Sequence, residues 1–486
     1  MISRTTQSLL GAVAVLAIAV GVAEAHPPTS QAAVSGNTVR TAVQNTALVC
    51  PPPLQGGGST VYSLAVPESS SATSTTGSAT LGSLAAGTAG HPLVQQTALG
   101  GSTTAKAAAG ANAPALAAAA AGSAAPGFTV QQTTTGTDQT LSGTPCTAPG
   151  TDFWFAGADS DKGSNDYIEL TNTESTPSDA DIHIFNTAGE VEDAQASNLD
   201  IPAGGTLSLS LASLLSPFNT NTSLAVHVVV HTGRIAAALH QQGSNGGDWL
   251  PATTPGTTQI IPALPGDVAD ATLVVADTGA TDADLDIHLA SETGWIVPSG
   301  HESIQVKAGT VTSVDLGAIT HGEPATLRLT PDSGTGAAPV PVVAGIQLVR
   351  GSKSTDTGYL AGVAAPIGQR ATVAGNAAGD STLLLTATGS AASVKVSSIG
   401  ATGSTPTVQT VPIPAGSTVS VTPKAPAGSG SFMVTVEPVS GGPVYGARMI
   451  SRKSGSSLGF TIQSLTDDHS TVQIPRVVQD GSILLP

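Results

Sequence analysis

An acidic segment near residue 160 carries the residue types that a cation site requires. Four side chains place oxygen ligands at nearly alternate positions, which suits Ca²⁺. They belong to Asp159, Asp161, Asn165 and Asp166. An EF-hand loop would need Asp or Asn at its fifth position and Glu at its twelfth, where this chain has glycine and leucine. We therefore interpret the segment as a polar turn before a strand. The four residues are kept only as candidate ligands, with no metal or other cofactor assigned.

Three histidines that lie close in sequence offer a second way to hold a metal. In an extended strand His227 and His231 project to the same face, so both could reach one ion. His240 could supply a third ligand from the same predicted hairpin. The simpler interpretation, which we prefer, is that these histidines lie exposed on strands and face water.

One serine lies in a motif that hydrolases use. The stretch Gly455–Gly459 matches G-x-S-x-G, but a nucleophile elbow needs a strand, a turn and a helix. Both flanks of this stretch have the pattern of strands, and a chain with 56 glycines meets the motif by chance. We predict no catalytic residues and no enzyme activity.

Aromatic residues make up only 3% of the chain, so their spacing is informative. They recur at Phe128, Trp249, Tyr359 and Phe460, which favours one core aromatic in each repeated unit over a sugar-binding surface. Trp295 falls in a predicted turn, and it is the aromatic that we expect to be exposed. The set considered for sugar stacking is Phe153, Trp154, Phe155, Trp249, Trp295 and Tyr359.

The elements that must position these residues repeat along the chain. LDIPAGGTLSLSL at Leu199–Leu211 returns as IQVKAGTVTSVDL at Ile304–Leu316 and as VPIPAGSTVSV at Val411–Val421. Each copy has a short apolar strand, an Ala-Gly corner and an alternating strand. The corner alanines are 105 and then 107 residues apart, at positions 203, 308 and 415. Such a period indicates a repeated β-unit.

The repeat predicts a mostly β fold of tandem immunoglobulin-like antiparallel β-sandwiches. We expect about four units of roughly 105–115 residues with about seven strands each. The predicted boundaries are 48–150 for a degenerate first unit, then 151–257, 258–369 and 370–486. In the second unit Leu224–Val230 should turn into Ile235–Leu239 as a hairpin. The alanine-rich run 107–125 has helical propensity, but its place in the repeat predicts that it is partly strand.

The N-terminus has the pattern of an export signal. Arg4 precedes the apolar run Leu9–Ala23, and Ala23-Glu24-Ala25 supplies a cleavage site. We predict a signal peptide over 1–25, with an uncleaved N-terminal anchor as the alternative, and a linker over 26–47. The chain has two cysteines, and export predicts a single disulfide between Cys50 and Cys146. Two buried free thiols are the alternative.

The net charge of −17 is unevenly distributed. Residues 138–332 contain 25 acidic and 4 basic residues, whereas 350–486 contain 6 acidic and 9 basic residues. The acidic middle argues against nucleic-acid binding, because phosphate would be repelled. We interpret it as a solubilising surface, with a cation-binding or assembly surface as the alternative.

Several of these features together resemble a known family. They are the exported N-terminus, Cys50-Pro51, the CTAPGTDFWFAG stretch at Cys146–Gly157 and the repeated Ala-Gly corners. The chain resembles the secreted or membrane-anchored actinobacterial proteins grouped as domain of unknown function 5719. The resemblance implies a cell-envelope setting and no catalytic residues to carry over.

The function predicted from these observations is non-enzymatic. We expect an exported cell-envelope protein, a structural or interaction scaffold whose partner is an envelope protein or glycan. The alternative is a carbohydrate- or Ca²⁺-binding module that assists the assembly of envelope polysaccharide. Membrane association would run through the N-terminal apolar segment.

Overall fold

The computed structural model describes residues 38–53, 58–68, 76–84, 92–106, 113–136, 138–159, 166–191, 196–215, 223–243, 246–332, 334, 338–351, 355–455 and 457–475. The predicted signal peptide 1–25 lies outside these residues. Two compact units make up the chain. The first joins Met1–Thr41 to Val472–Pro486, and its described residues lie in β1 (Thr38–Ala42) and β36 (Thr471–Pro475), which pair as a two-stranded sheet. The second unit, Ala42–Thr471, contains four β-sandwiches.

Each sandwich has eight or nine strands within the described part of the chain. Sandwich 1 comprises β2 (Asn45–Cys50), β3 (Ser59–Val66), β4 (Gly77–Ser83), β5 (Val94–Gln96), β6 (Gly101–Lys106), β7 (Leu116–Gly122), β8 (Thr129–Thr135) and β9 (Leu141–Pro145). Sandwich 2 comprises β10 (Asp152–Asp159), β11 (Tyr167–Asn172), β12 (Ser178–Asn186), β13 (Gly189–Val191), β14 (Leu199–Ile201), β15 (Thr206–Ser210), the one-turn helix α1 (Leu211–Leu214), β16 (Ser223–Thr232), β17 (Ile235–Gly243) and β18 (Gly246–Leu250). Sandwich 3 comprises β19 (Gln259–Leu264), β20 (Val268–Asp277), β21 (Ala283–Ala290), β22 (Trp295–Ile296), β23 (Ser303–Val306), β24 (Val311–Asp315), β25 (Ala325–Pro331), β26 (Val342–Arg350) and β27 (Asp356–Ala361). Sandwich 4 comprises β28 (Ala371–Asn376), β29 (Ser381–Ala387), β30 (Ala392–Ile399), β31 (Thr407–Ile413), β32 (Thr418–Val421), β33 (Phe432–Gly441), β34 (Val444–Ser454) and β35 (Ser457–Ser464).

The same strand order recurs in all four sandwiches. In sandwich 1 the two sheets have the orders β2-β7-β4-β5 and β6-β3-β8-β9, and in sandwich 4 the orders β28-β33-β30-β31 and β32-β29-β34-β35. The prediction of tandem antiparallel β-sandwiches is confirmed. No helix among the described residues has the length and apolar character to cross a membrane.

The predicted hairpin in sandwich 2 is wrong. Leu224–Val230 lies in β16 and Ile235–Leu239 lies in β17, but these strands belong to different sheets, and β17 pairs instead with β18. Alternation of apolar residues identifies which face of a strand is buried and does not identify the neighbouring strand. The extra strand β18 also raises the count above the predicted seven.

The N-terminal part of the fold begins earlier than expected. Within the predicted linker 26–47, the described residues contain β1 and the start of β2. Small polar residues form a strand when a neighbouring strand supplies backbone hydrogen bonds, as β7 does for β2. β7 is the alanine run itself, where Ala118 and Ala120 face the core. Pairing with β2 on one side and β4 on the other overrides its helical propensity.

The Ala-Gly corners carry the chain from one sheet of a sandwich to the other. β14 pairs with β12, whereas β15, directly after the corner, pairs with β11 in the opposite sheet. The corner glycines Gly204, Gly309 and Gly416 all have φ between 60° and 67°. That left-handed conformation favours glycine and explains why the dipeptide recurs. Gly100, with φ of 69°, stands between β5 and β6 of sandwich 1, where the sequence repeat was not recognised.

The four sandwiches are arranged cyclically around their last strands. β9, β18, β27 and β35 contact one another in ring order, each touching the next and the last touching the first. Buried carboxylates join them. Asp356 on β27 accepts hydrogen bonds from the Leu141 and Phe460 amides at 3.1 and 2.8 Å, and Asp248 on β18 accepts one from Gly143 at 2.7 Å. The ring axis is therefore held by polar contacts among all four sandwiches.

Apolar packing closes three of the four junctions around this ring. Sandwiches 2 and 3 meet at Gly345, where the Ala156 carbonyl lies so close that a Cβ atom on residue 345 would collide with it. A buried cluster that includes Trp154 lies beside this contact. The core of sandwich 3 continues across its junction onto Leu384, Met449 and Phe460 of sandwich 4. Sandwiches 4 and 1 meet through a small cluster of Ala65, Ala374 and Met433. The fourth junction, between sandwiches 1 and 2, is different.

Candidate functional site

A cleft of about 980 Å³ separates sandwich 1 from sandwich 2. It extends to the ring axis, where Gly143 and Gln463 line it, and to the connecting segment Thr147–Pro149. This volume lies at the upper end of the range of small-molecule sites. The cleft takes the place of the packed junction found at the other three positions, so it is the candidate functional site.

Two sheet faces with small side chains form the walls of the cleft. On the side of sandwich 1, the lining includes Ala119 and Ala121 of the alanine strand β7 and Thr80 of β4. On the side of sandwich 2, it includes Ala236 and Ala238 of β17. Ile235, Ala237 and Leu239 alternate with these two alanines and face the core. The spacing that packs each sandwich therefore leaves an alanine surface outside it.

The position of Ala238 shows how this junction differs from the packed one between sandwiches 2 and 3. Ile235 of β17 pairs with Gly150, and Val342 of β26 pairs with Gly256, so Ile235 and Val342 are equivalent positions in sandwiches 2 and 3. Three residues further along each strand, Ala238 is therefore equivalent to Gly345. Gly345 receives the Ala156 backbone, whereas Ala238 is only half-buried and lines the cleft. The same surface is thus filled at one junction and available at the other.

Of the described residues that line the cleft, four are carboxylates and one is an arginine, and three of the carboxylates are already engaged. Glu174 pairs with Arg234 at 3.4 Å. Asp468 accepts hydrogen bonds from Arg370 at 2.5 Å and from a threonine hydroxyl at 2.6 Å. Asp467 accepts from the Gln369 and His469 backbone amides. Only Glu169 remains without a cation or an amide donor among the described residues.

Glu169 stands in the middle of the sandwich 2 wall. Its strand β11 pairs with β15 and β17, which places Glu169 beside Ser208 on one side and Ala238 on the other. The Ser208 hydroxyl donates to Oε1 at 2.8 Å, and the buried Oε2 has no hydrogen-bond partner in the described structure. Burial raises the pKa of Glu169 to about 7, although the bond from Ser208 acts in the opposite direction.

This raised pKa predicts a pH dependence of stability that Glu169→Gln removes. The folded state favours the neutral carboxyl. Its contribution to the free energy of unfolding is therefore complete below pH 4.5, which is the pKa in the unfolded chain, and is lost as the pH rises through about 7. We expect wild type to lose about 2 kcal/mol more than Glu169→Gln between pH 4.5 and 8. Urea unfolding of both proteins across this range measures the difference. Parallel curves for the two proteins would contradict the assignment.

Of the candidate cation ligands, Asp161 and Asn165 lie outside the described residues. Asp166 is buried, and its carboxylate accepts hydrogen bonds from the Gln242 amide at 3.1 Å and from the Gln241 side chain at 3.4 Å. Burial and the neighbouring Asp159 carboxylate raise the pKa of Asp166 to about 7. Its observed contacts hold the end of β17 to the start of β11. Among the described residues, no group of three or more His, Cys, Asp or Glu side chains could hold a metal.

The three histidines do not converge. His227 and His231 lie on β16, but His240 lies on β17 in the other sheet, so a shared site with three ligands from one hairpin is wrong. His227 contacts Asp152 at 3.1 Å and stacks on Trp154, while His231 contacts Asp181 at 2.9 Å. His240 is buried, contrary to the expectation of exposed histidines, and burial lowers its pKa to about 3.

The serine motif lies where β34 is followed by β35, and three of the four recurring aromatics lie on the last strand of a sandwich. Gly455 follows the end of β34, and Ser457–Gly459 already lie in β35, which pairs with β34, so a strand stands where a nucleophile elbow needs a helix. Trp249, Tyr359 and Phe460 lie buried on the last strands, but Phe128 precedes β8, so its predicted equivalence to them is wrong. Trp295 is half-buried, with the Arg328 guanidinium 3.9 Å from its ring centroid, rather than exposed.

The cleft itself was not predicted from the sequence. Its lining comes from segments that lie up to about 400 residues apart, and each has an alternation that is already explained by its own sandwich. Glu169 gave one weak signal, as an acidic residue inside the apolar strand YIELTN. The disulfide was predicted and is present: Cys50 and Cys146 are bonded, and Cys146 lines the cleft.

The chain matches a protein-family model. The model of a family described as a family of unknown function, DUF5719, matches residues 104–424. None of the curated proteins matches the chain.

Proposed function

Because this chain belongs to the DUF5719 family of unknown function, matched over residues 104–424, we propose a function from the geometry of the cleft. The protein is a non-enzymatic, exported cell-envelope protein that acts as an interaction scaffold. It holds one envelope component in the cleft between sandwiches 1 and 2. The observation that carries this proposal is that the ring is packed at three junctions and keeps a cavity of about 980 Å³ at the fourth.

Two further features support a binding role outside the cytoplasm. The disulfide closes a loop across 96 residues of sandwich 1, and such bonds persist in oxidising compartments. The apolar run Leu9–Ala23 followed by a small-residue cleavage site has the pattern of an export signal. The mass of the mature N-terminus, measured on protein from the medium and from membranes, tests export. A full-length chain confined to the cytoplasm would contradict it.

Filling the cleft tests the binding role directly. Ala238→Trp adds a large side chain to the wall of sandwich 2, pointing away from the core, so we expect the fold to persist and the ligand to be excluded. Ala188→Trp, in the exposed turn between β12 and β13 and outside the cleft, is the matched control. Envelope fractions are passed over wild type and both variants, and retained components are identified by mass spectrometry.

We expect at least one component that wild type and Ala188→Trp retain and Ala238→Trp does not. Retention that is equal for all three proteins would overturn the role of the cleft. Circular dichroism and the urea midpoint of Ala238→Trp establish that a loss of binding does not come from unfolding.

A further inference from the structure

The outer edge of β2 borders the cleft and is largely unpaired. Val49 exchanges backbone hydrogen bonds with Thr147 at 2.7 and 3.0 Å on the side away from β7. Backbone groups alternate in direction along a strand, so those of Ala47 and Asn45 also point away from β7. Neither residue has a backbone partner on that side in the described structure, and both are exposed and line the cleft.

The connecting segment leaves this edge early. After Thr147 the chain turns away through Pro149, which has no N–H to donate, and pairs with sandwich 2 at Gly150 and Ile235. An exposed strand edge is a template on which another extended chain can add. The surrounding alanine and threonine walls have small side chains, which leaves room for the side chains of such a chain.

Glu169 favours a positively charged ligand group in the same cavity. Among the residues that the structure describes, its Oε2 has no hydrogen-bond partner, and the other three carboxylates of the cleft are engaged by Arg234, Arg370 or backbone amides. A half-buried carboxylate without a cation is stabilised when a ligand supplies one, because a charge-assisted hydrogen bond replaces the lost water. The excess of carboxylates over basic groups in the lining favours a cationic ligand.

From these two independent observations we propose that the cleft binds an extended peptide that adds as a strand to the free edge of β2 and places a lysine or arginine side chain on Glu169. This proposal rests on the proposed function and specifies its ligand. Backbone pairing with Ala47 and Asn45 gives affinity without strict sequence selection. The basic side chain pointing across the cleft to the sandwich 2 wall gives specificity.

The experiment uses a positional scanning library of acetylated, amidated pentapeptides at pH 8, where the Glu169 carboxyl is ionised. Full-length protein is immobilised, and retained peptides are sequenced. We expect lysine or arginine to be enriched at one position. The best peptide should bind Glu169→Gln about tenfold or more weakly, because one charged pair is lost. Glu292→Gln, an exposed acidic residue outside the cleft, should bind as wild type does.

Edge pairing is tested by Ala47→Pro, which removes the outward N–H while the ladder to β7 runs through the alternate residues. Ala47→Val keeps the N–H and is the matched control. We expect about tenfold weaker binding to Ala47→Pro than to Ala47→Val. N-methylation of alternate amides in the best peptide should weaken binding to wild type to a similar degree.

The outcomes separate this proposal from the one on which it rests. A library in which no peptide is retained, or binding that is unaffected by both Glu169→Gln and Ala47→Pro, overturns the peptide proposal. The proposed function then stands if an envelope component is still lost with Ala238→Trp. If that component is retained equally by Ala238→Trp, the proposed function fails as well.

Discussion

Replacement of Asp356 by alanine is expected to cost at least about 3 kcal/mol of stability, since it leaves three buried N–H groups without an acceptor, each at about 1–3 kcal/mol. Oδ2 accepts from Leu141 of sandwich 1 and Phe460 of sandwich 4, and Oδ1 accepts from Thr357 at 3.0 Å. Asp356 is fully buried at 0% exposure, so water cannot replace these bonds. Because the donors belong to three sandwiches, the loss falls on the ring axis rather than on one core.

The measurement is urea unfolding followed by tryptophan fluorescence, with the midpoint of the earliest transition as the readout, since a chain with several domains need not unfold in one step. Asp356→Asn retains one carbonyl oxygen and should be less destabilising than alanine. Glu292→Ala, at an exposed loop position, should leave the midpoint unchanged. A loss below about 1 kcal/mol for Asp356→Ala would show that the axis does not depend on this carboxyl.

Loss of the disulfide is the second large effect that we expect. Cys50 and Cys146 close a loop of 96 residues, and in the chain-entropy description such a crosslink stabilises by about 4–5 kcal/mol at most. The double variant Cys50→Ala, Cys146→Ala should therefore lose up to this amount in urea unfolding. Both residues are buried, at 0% and 4% exposure, so alanine also leaves a small unfilled space in the core of sandwich 1.

Wild-type protein in reducing buffer is the control for the disulfide, because it removes the crosslink without changing the side chains in the core. We expect its midpoint to fall close to that of the double variant. The remaining sandwiches, whose cores lie elsewhere, should keep their own transitions. An unchanged midpoint on reduction would mean that the unfolded chain gains little freedom from opening this loop.

The sequence predicted local geometry well where a backbone conformation strongly favours one residue type. The corner glycines Gly204, Gly309 and Gly416 were found from the repeat, and each has the left-handed φ that glycine adopts at low cost. The alanine run was predicted to be partly strand against its own propensity, and it forms β7, although the alignment on Phe128 behind that prediction was wrong. The hairpin between β16 and β17 was predicted wrongly, since the same alternation is satisfied by neighbours in either sheet.

The candidate site was beyond sequence reasoning for a related reason. Ala238 and Gly345 occupy matching positions on β17 and β26, and both are small residues outside a sandwich core. One faces a cavity and the other receives the Ala156 backbone. Glycine at 345 permits the close approach of Ala156, but the sequence of either strand does not show which distant segment packs there.

The sequence by itself determined the sandwich: the period of two along each strand, the corners that switch sheets and the two cysteines that meet in sandwich 1. The tertiary structure alone decided the cyclic order of the four sandwiches, the buried carboxylates at their axis and the cleft at one junction. The alternation of apolar residues indicates that one face of a strand is buried, but it does not indicate which element packs against that face. Which surface is covered and which remains open is therefore settled only when the whole ring has packed.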